Sequence, residues 1–122
     1  MNYVLVFVGG GLGSVTRFLC SKFFTSSTTS FPLATFISNG VSSLLLGVLL
    51  SYLIQKQVAN DNLRLLIATG FCGGFSTFST FSYETFVLLN AGNLKMAAVN
   101  IFANLFVCYV AVVAGFFIAR YL

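Results

Sequence analysis

Gly70-Phe71-Cys72-Gly73-Gly74-Phe75-Ser76-Thr77-Phe78-Ser79-Thr80-Phe81-Ser82-Tyr83-Glu84 is the stretch that decides the fold. It sits inside an apolar segment, residues 63–89, long enough to cross a bilayer, yet it holds three glycines, five Ser/Thr hydroxyls and a carboxylate. Hydrocarbon tolerates such groups, and irregular backbone, only where they are buried in protein or line a polar path. Gly73-Gly74, Ser76-Thr77 and Ser79-Thr80 also concentrate poor helix formers at the centre. Two readings follow. One is a kinked helix whose free backbone groups are met by hydroxyls. The other is a true break whose freed carbonyls suit a cation near mid-membrane. Phe78 and Phe81 lie three residues apart, so on a helix they share a face. Their rings are either packing or, through their positive edges, partners for an anion that meets no fixed countercharge.

Outward from this stretch the chain holds three more apolar segments, residues 3–24, 32–53 and 94–122. Each reaches or exceeds the roughly 20 residues a membrane-spanning helix needs. Short polar linkers, residues 25–30, 55–62 and 90–93, join the four. The expected fold is an all-α membrane protein: one four-helix transmembrane unit over residues 1–122, with its third helix interrupted. Pro32, the lone proline, opens the second span, where a first-turn proline costs little. Met1-Asn2-Tyr3 carries no basic run of the signal-peptide kind, so the first segment reads as a retained span.

Composition narrows the function. Charged residues make up 7% of the chain, against about 25% in soluble domains. The net charge of +4 comes from six scattered cations, which form no nucleic-acid-binding patch. There is no histidine, and no nucleophile–base pair, metal-ligand set or phosphate loop, so the sequence does not read as an enzyme. Cys20, Cys72 and Cys108 lie in or at the ends of apolar runs and read as small buried hydrophobes.

Several polar side chains fall within the spans. Thr35, Asn39 and Ser42 or Ser43 form a stripe on the second. The two amide N–H donors of Asn39 suit either an anion or an interhelical hydrogen bond. Asn100, Asn104 and Cys108 form an i, i+4, i+8 stripe on the fourth, better suited to protein or water than to lipid. Glu84 is the only acid within a span. It reads either as a proton-coupled site or as a carboxylate bonded to Thr80. Arg17 either snorkels to headgroups or makes the mouth of a path electropositive. The pairs Gly9/Gly13 and Gly70/Gly74 allow close helix approach, between copies or within one chain. With four spans both termini share a side, which carries Lys56, Arg64 and Arg120; the other carries Arg17, Lys22 and Lys95. Three against three gives no preferred orientation by the positive-inside rule. Either packing decides topology, or copies insert both ways and pair antiparallel.

The 70–84 stretch closely resembles the signature G-x-x-G-G-[LF]-[TS]-T-F-S-T-F-S-x-E of the bacterial fluoride channel family (Fluc, also called CrcB). Gly9-Gly10-x-x-Gly13-x-x-x-Arg17 resembles its first-span pattern, and Thr35-Phe36-x-x-Asn39 its second. The resemblance covers essentially the whole chain. It implies a fluoride-selective channel for passive export across the bacterial cytoplasmic membrane, protecting the cell from fluoride. It further implies an antiparallel dual-topology dimer with two pores, and a structural Na⁺ held centrally by the carbonyls of Gly73 and Ser76. Asn39, Phe78 and Phe81 match the pore residues. Thr35, Ser79, Thr80, Glu84 and Asn104 fall beside them, and Arg17 falls in the vestibule. The expected partners are therefore fluoride, sodium, the bilayer and a second copy of the chain. The departures are Ala34 where the family has glycine, Ser42 where it has glycine, Asn104 where it has tyrosine or histidine, and Cys108 where it has serine. They keep open a heterodimeric or non-conducting partner subunit. A proton-coupled small multidrug antiporter is a further alternative, but it requires an acid deep in the first span, and that span has none.

Overall fold

The structure, a computed structural model, describes residues 1–25, 30–57 and 59–122. Residues 26–29 of the first expected linker and Val58 of the second lie outside the described residues. Among the described residues every regular element is helical. Helix α1 (Asn2–Phe23) is followed by α2 (Leu33–Gln55). Pro32 stands just before α2, and its carbonyl accepts the Phe36 N–H at 3.1 Å. It is thus one position earlier than a first-turn proline and costs the helix no donor. The third span begins with α3 (Asp61–Leu63), continues as a π-helical stretch (Arg64–Cys72) and ends its first half with α4 (Gly73–Phe75). Its second half is α5 (Phe78–Asn90). The fourth span is α6 (Leu94–Ile118), closed by a 3₁₀ turn (Ala119–Tyr121).

Among the described residues four spans, of 22, 23, 30 and 28 residues, are long and apolar enough to cross a membrane. Even the shortest covers about 33 Å at 1.5 Å per residue, against a hydrocarbon core of about 30 Å. The distribution of side chains inverts that of a water-soluble domain. Phe7, Phe102, Phe106 and Tyr109 are exposed, while Ser38, Ser42 and Asn100 are among the most deeply buried side chains. A chain with its apolar groups outside and its hydroxyls and amides inside is stable where the surroundings are hydrocarbon. This is a multi-pass membrane protein.

The third span is broken rather than kinked. Ser76 (φ −72°, ψ 156°) and Thr77 (φ −153°, ψ 117°) are both extended. In a continuous helix the Thr77 N–H would bond the Gly73 carbonyl. Here it donates to Asn39 Oδ1 at 2.7 Å instead. Helix α5 then restarts on its own cap, with the Thr80 N–H donating to Thr77 Oγ1 at 3.1 Å. Asn60 caps α3 and Asn93 caps α6 in the same manner.

Glycines set the helix contacts. A Cβ on Gly13 would lie 2.8 Å from the Phe75 nitrogen, and one on Gly70 would lie 2.9 Å from the Gly9 Cα. The two small-residue pairs seen in the sequence therefore face each other within one chain, holding α1 against the first half of the third span. A second crossing, unmarked by a four-residue spacing, joins α2 to α6. There a Cβ on Gly115 would lie 2.6 Å from the Leu44 carbonyl oxygen and 2.7 Å from the Val48 nitrogen. These contacts place the break of the third span between α1 and α2, where its freed groups meet polar side chains.

Candidate functional site

Two recesses flank the contact between α2 and α5, and they share no lining residue. The first, about 270 Å³, lies between α2, the break, α5 and α6. Asn39, Ser76, Thr77, Phe78, Phe81, Asn104 and Cys108 line it, and no Asp, Glu, Lys or Arg does. The second, about 320 Å³, lies between α1, α2 and α5, with Arg17, Thr35, Ser38, Thr80 and Glu84 in its wall. The expected site residues thus divide into two groups. Ser79 and Gly73 line neither recess.

Asn39 organises the first recess. Its Oδ1 must accept from the Thr77 N–H, which can only donate, so the orientation of the amide is fixed. Its Nδ2 then donates to the Thr77 carbonyl at 3.3 Å and to Asn104 Oδ1 at 3.4 Å. Both lie beyond the usual 2.7–3.2 Å range. One face of the amide is tightly engaged and the other loosely held. The two sequence readings of Asn39 therefore divide between its atoms: the oxygen ties α2 to the break, and the nitrogen retains donor capacity toward the recess.

Asn104 is committed elsewhere. Its Nδ2 donates to the Asn100 carbonyl at 3.0 Å and to Asn100 Oδ1 at 2.8 Å. Asn100 Nδ2 in turn donates to Thr85 Oγ1 at 3.0 Å, and Thr85 to the Phe81 carbonyl at 2.8 Å. This chain of amides runs from α2 through α6 to α5 and holds the backbone of Phe81 in place. Asn104 presents its acceptor, not its donors, to Asn39. Thr85, which the sequence did not single out, closes the chain. It was legible in principle, because it falls one turn after Phe81 on α5.

The phenylalanine pair is asymmetric. The ring centroids are 5.5 Å apart with planes tilted by 44°. Phe81 is 8% exposed and Phe78 is 75% exposed. The expectation of one shared face holds for their mutual contact but not for their surroundings, because three residues on a helix turn 300°, leaving 60° between the side chains. Phe81 is inside the bundle, and Phe78 projects from it.

In the second recess Glu84 accepts from Thr35 Oγ1 at 2.8 Å through Oε1. This corrects the expected bond to Thr80: the Thr80 hydroxyl is paired with Thr77 Oγ1 at 3.0 Å at the cap of α5. Among the described residues, Glu84 Oε2 and Ser38 Oγ are the buried side-chain atoms without a partner. Ser42, at a departure from the family pattern, donates to the Cys72 carbonyl at 2.9 Å and so adds a bond from α2 to the first half of the third span.

The break bears on the expected small monovalent cation, Na⁺. It diverts a helical donor from the Gly73 carbonyl and takes Ser76 out of helical geometry. Gly73 is exposed, with open space beside its Cα. No group of three or more His, Cys, Asp or Glu side chains that could hold a metal occurs among the described residues. Carbonyl oxygens are hard, neutral ligands of the kind that suits such an ion.

Comparison with known proteins gives a consistent outcome. Residues 4–116 match the family model described as CrcB-like protein, Camphor Resistance (CrcB). A protein named fluoride-specific ion channel FluC from Pyrococcus abyssi is 42% identical over 117 residues, covering 96% of this chain and 94% of its own length. The protein of that name from Pyrococcus furiosus is 44% identical over 116 residues, 95% and 94% of the two chains. The one from Hydrogenobaculum sp. is 40% identical over 118 residues, 97% of each.

Proposed function

Because the chain belongs to the CrcB-like family, we propose that it is a fluoride-specific ion channel of the bacterial plasma membrane, passing the anion passively outward through the recess beside the third-span break. The observation that carries this reading is the recess itself, lined by Asn39, Phe78 and Phe81 and free of Asp, Glu, Lys and Arg. Fluoride is small and strongly hydrated, so a pore must replace several water contacts at once. A channel must also bind weakly enough to release. A fixed cation would hold fluoride, and a fixed anion would repel it. Amide N–H groups and the positive edges of aromatic rings fall between these limits. Asn39 Nδ2, held only by contacts of 3.3 and 3.4 Å, has little to give up when an anion arrives. Arg17, in the other recess, lies where a mouth would gain from positive potential.

The channel is an antiparallel dimer in this reading. Helix α5 presents Ser79, Ser82, Tyr83 and Phe78 outward from a single chain. Hydroxyls on the outside of a membrane helix favour protein contact over lipid. A second copy laid against this face covers them, encloses Phe78 and completes the shell begun by the Gly73 and Ser76 carbonyls. The balanced charges at the two ends suit insertion in both orientations. Na⁺ on the dimer axis supplies positive charge to cancel the carbonyl dipoles gathered at the break, and its role is structural.

The test is functional rescue. Bacteria deprived of their own fluoride exporter and expressing this chain should grow in acid medium with fluoride that stops the parent strain. Failure to rescue, with the protein inserted in the membrane, counts against the reading.

A further inference from the structure

Among the described residues Ser38 carries the buried hydroxyl that the fold does not use. Hydroxyls inside membrane helices ordinarily bond the carbonyl one turn back. Thr16, Ser76, Ser82 and Thr85 all do so here, at 2.8 Å. Ser38 does not. The carbonyl it would use, that of Ala34, carries the Cys20 thiol from α1 at 3.8 Å. Ser38 is 0% exposed, its Oγ has no partner among the described residues, and it lines the second recess. A hydroxyl stripped of water and left unbonded is costly. It persists where something other than the protein completes it.

The recess indicates what that is. Arg17 supplies a guanidinium in its wall, and Thr35 donates to one oxygen of Glu84 at 2.8 Å, the other oxygen having no partner among the described residues. We propose that the Ser38 hydroxyl donates a hydrogen bond to the anion on its way between the mouth at Arg17 and the recess beside the break, in the recess between α1, α2 and α5, making Ser38 an ion-contacting residue one position before Asn39 on α2. Neighbouring residues on a helix are turned by about 100°, so Ser38 and Asn39 address the two separate recesses. Helix α2 then offers a donor on each side of its contact with α5. An anion passing Arg17 meets a neutral donor before it leaves the charged wall, which shares out the loss of its hydration.

This inference rests on the channel reading, and the experiment separates the two. Initial fluoride efflux is measured from liposomes at low protein content, with the melting temperature of the purified protein as the second readout. If the hydroxyl serves the ion, Ser38→Ala lowers efflux by about ten- to a hundredfold, the worth of one hydrogen bond to a charged group. Its melting temperature stays equal or rises, because an unbonded buried hydroxyl has been removed. Ser38→Thr keeps the donor and retains more efflux than Ser38→Ala. If the hydroxyl is only an unpaired packing group, Ser38→Ala conducts like the parent, and the proposal is overturned while the channel reading stands. If the parent itself passes no fluoride, both fall. Should Ser38→Ala lose its fold, Ser38→Cys keeps the volume, weakens the donor and carries the same two outcomes.

Discussion

Asn39→Asp separates the two tasks assigned to Asn39. In the structure Oδ1 accepts the Thr77 N–H at 2.7 Å, and Nδ2 reaches the Thr77 carbonyl and Asn104 Oδ1 at 3.3 and 3.4 Å. An aspartate keeps the acceptor for Thr77, and a charged acceptor strengthens that bond. It loses the donors and turns a second oxygen toward two acceptors. The break should therefore survive while conduction does not. A carboxylate and a fluoride ion 4 Å apart repel by about 4 kcal/mol at an effective dielectric constant near 20, which is roughly a thousandfold in rate. Asn39→Ala removes both tasks and leaves the buried Thr77 N–H unmet, a loss of about 1–3 kcal/mol in stability. The assay is fluoride efflux from liposomes at neutral and at raised pH, beside thermal unfolding in detergent. The expected pattern is lost conduction with the break and the fold retained for Asn39→Asp, and a lowered melting temperature with the Thr77 N–H unmet for Asn39→Ala. Asn39→Asp conducting within about threefold of the parent, against the barrier worked out above, would refute the placing of Asn39 in the path.

Phe81→Ile and Phe78→Ile keep bulk and remove the aromatic edge, so both should cut fluoride efflux sharply; parent-like flux from the pair makes the rings mere packing. Their stabilities should differ, because Phe81 is 8% exposed and Phe78 is 75% exposed in the single chain. Gly115→Leu forces side-chain atoms into the α2 backbone, where even a Cβ would lie 2.6 Å from the Leu44 oxygen, and should abolish accumulation of folded protein in membranes; normal yield would contradict the crossing. Three lysines added to the loop of residues 55–62 should bias insertion to one orientation and silence the channel, and co-expression of an oppositely biased version should restore it. Activity from one fixed orientation alone would defeat the antiparallel dimer. Replacing Na⁺ by a bulky organic cation should weaken assembly or conduction without altering the choice of fluoride over chloride; an unchanged dimer and unchanged flux would remove the ion from the account.

The four spans were legible because length and apolarity suffice to define a membrane helix. The break was half legible. Gly73-Gly74 and the Ser/Thr doublets lower helix propensity, but propensity does not distinguish a kink from a break. That choice is made by Asn39, which takes the Thr77 N–H from a neighbouring helix, a contact 38 residues away in sequence. The π-helical stretch Arg64–Cys72 was not legible. Its apolar residues suit an ordinary helix, and nothing local marks the wider turn. The α2–α6 crossing at Gly115 was missed for a related reason, since Gly115 is the lone glycine of α6 and no second glycine at a four-residue spacing marks the contact. Glu84 was marked as the only acid within a span, but its partner came from α2 and not from its own helix. Sequence spacing reports neighbours along one helix, and these sites are built between helices. The family motif supplied what spacing did not, by linking Phe78, Phe81 and Asn39, which line one recess.

The most direct test is anion efflux from liposomes containing this chain alone, with fluoride and chloride compared, each with and without an imposed pH gradient. A passive fluoride channel releases fluoride rapidly down its own gradient, retains chloride, and behaves the same whether or not a proton gradient is present. Chloride leaving as fast as fluoride, or fluoride moving only when protons are driven across the membrane, would contradict the account.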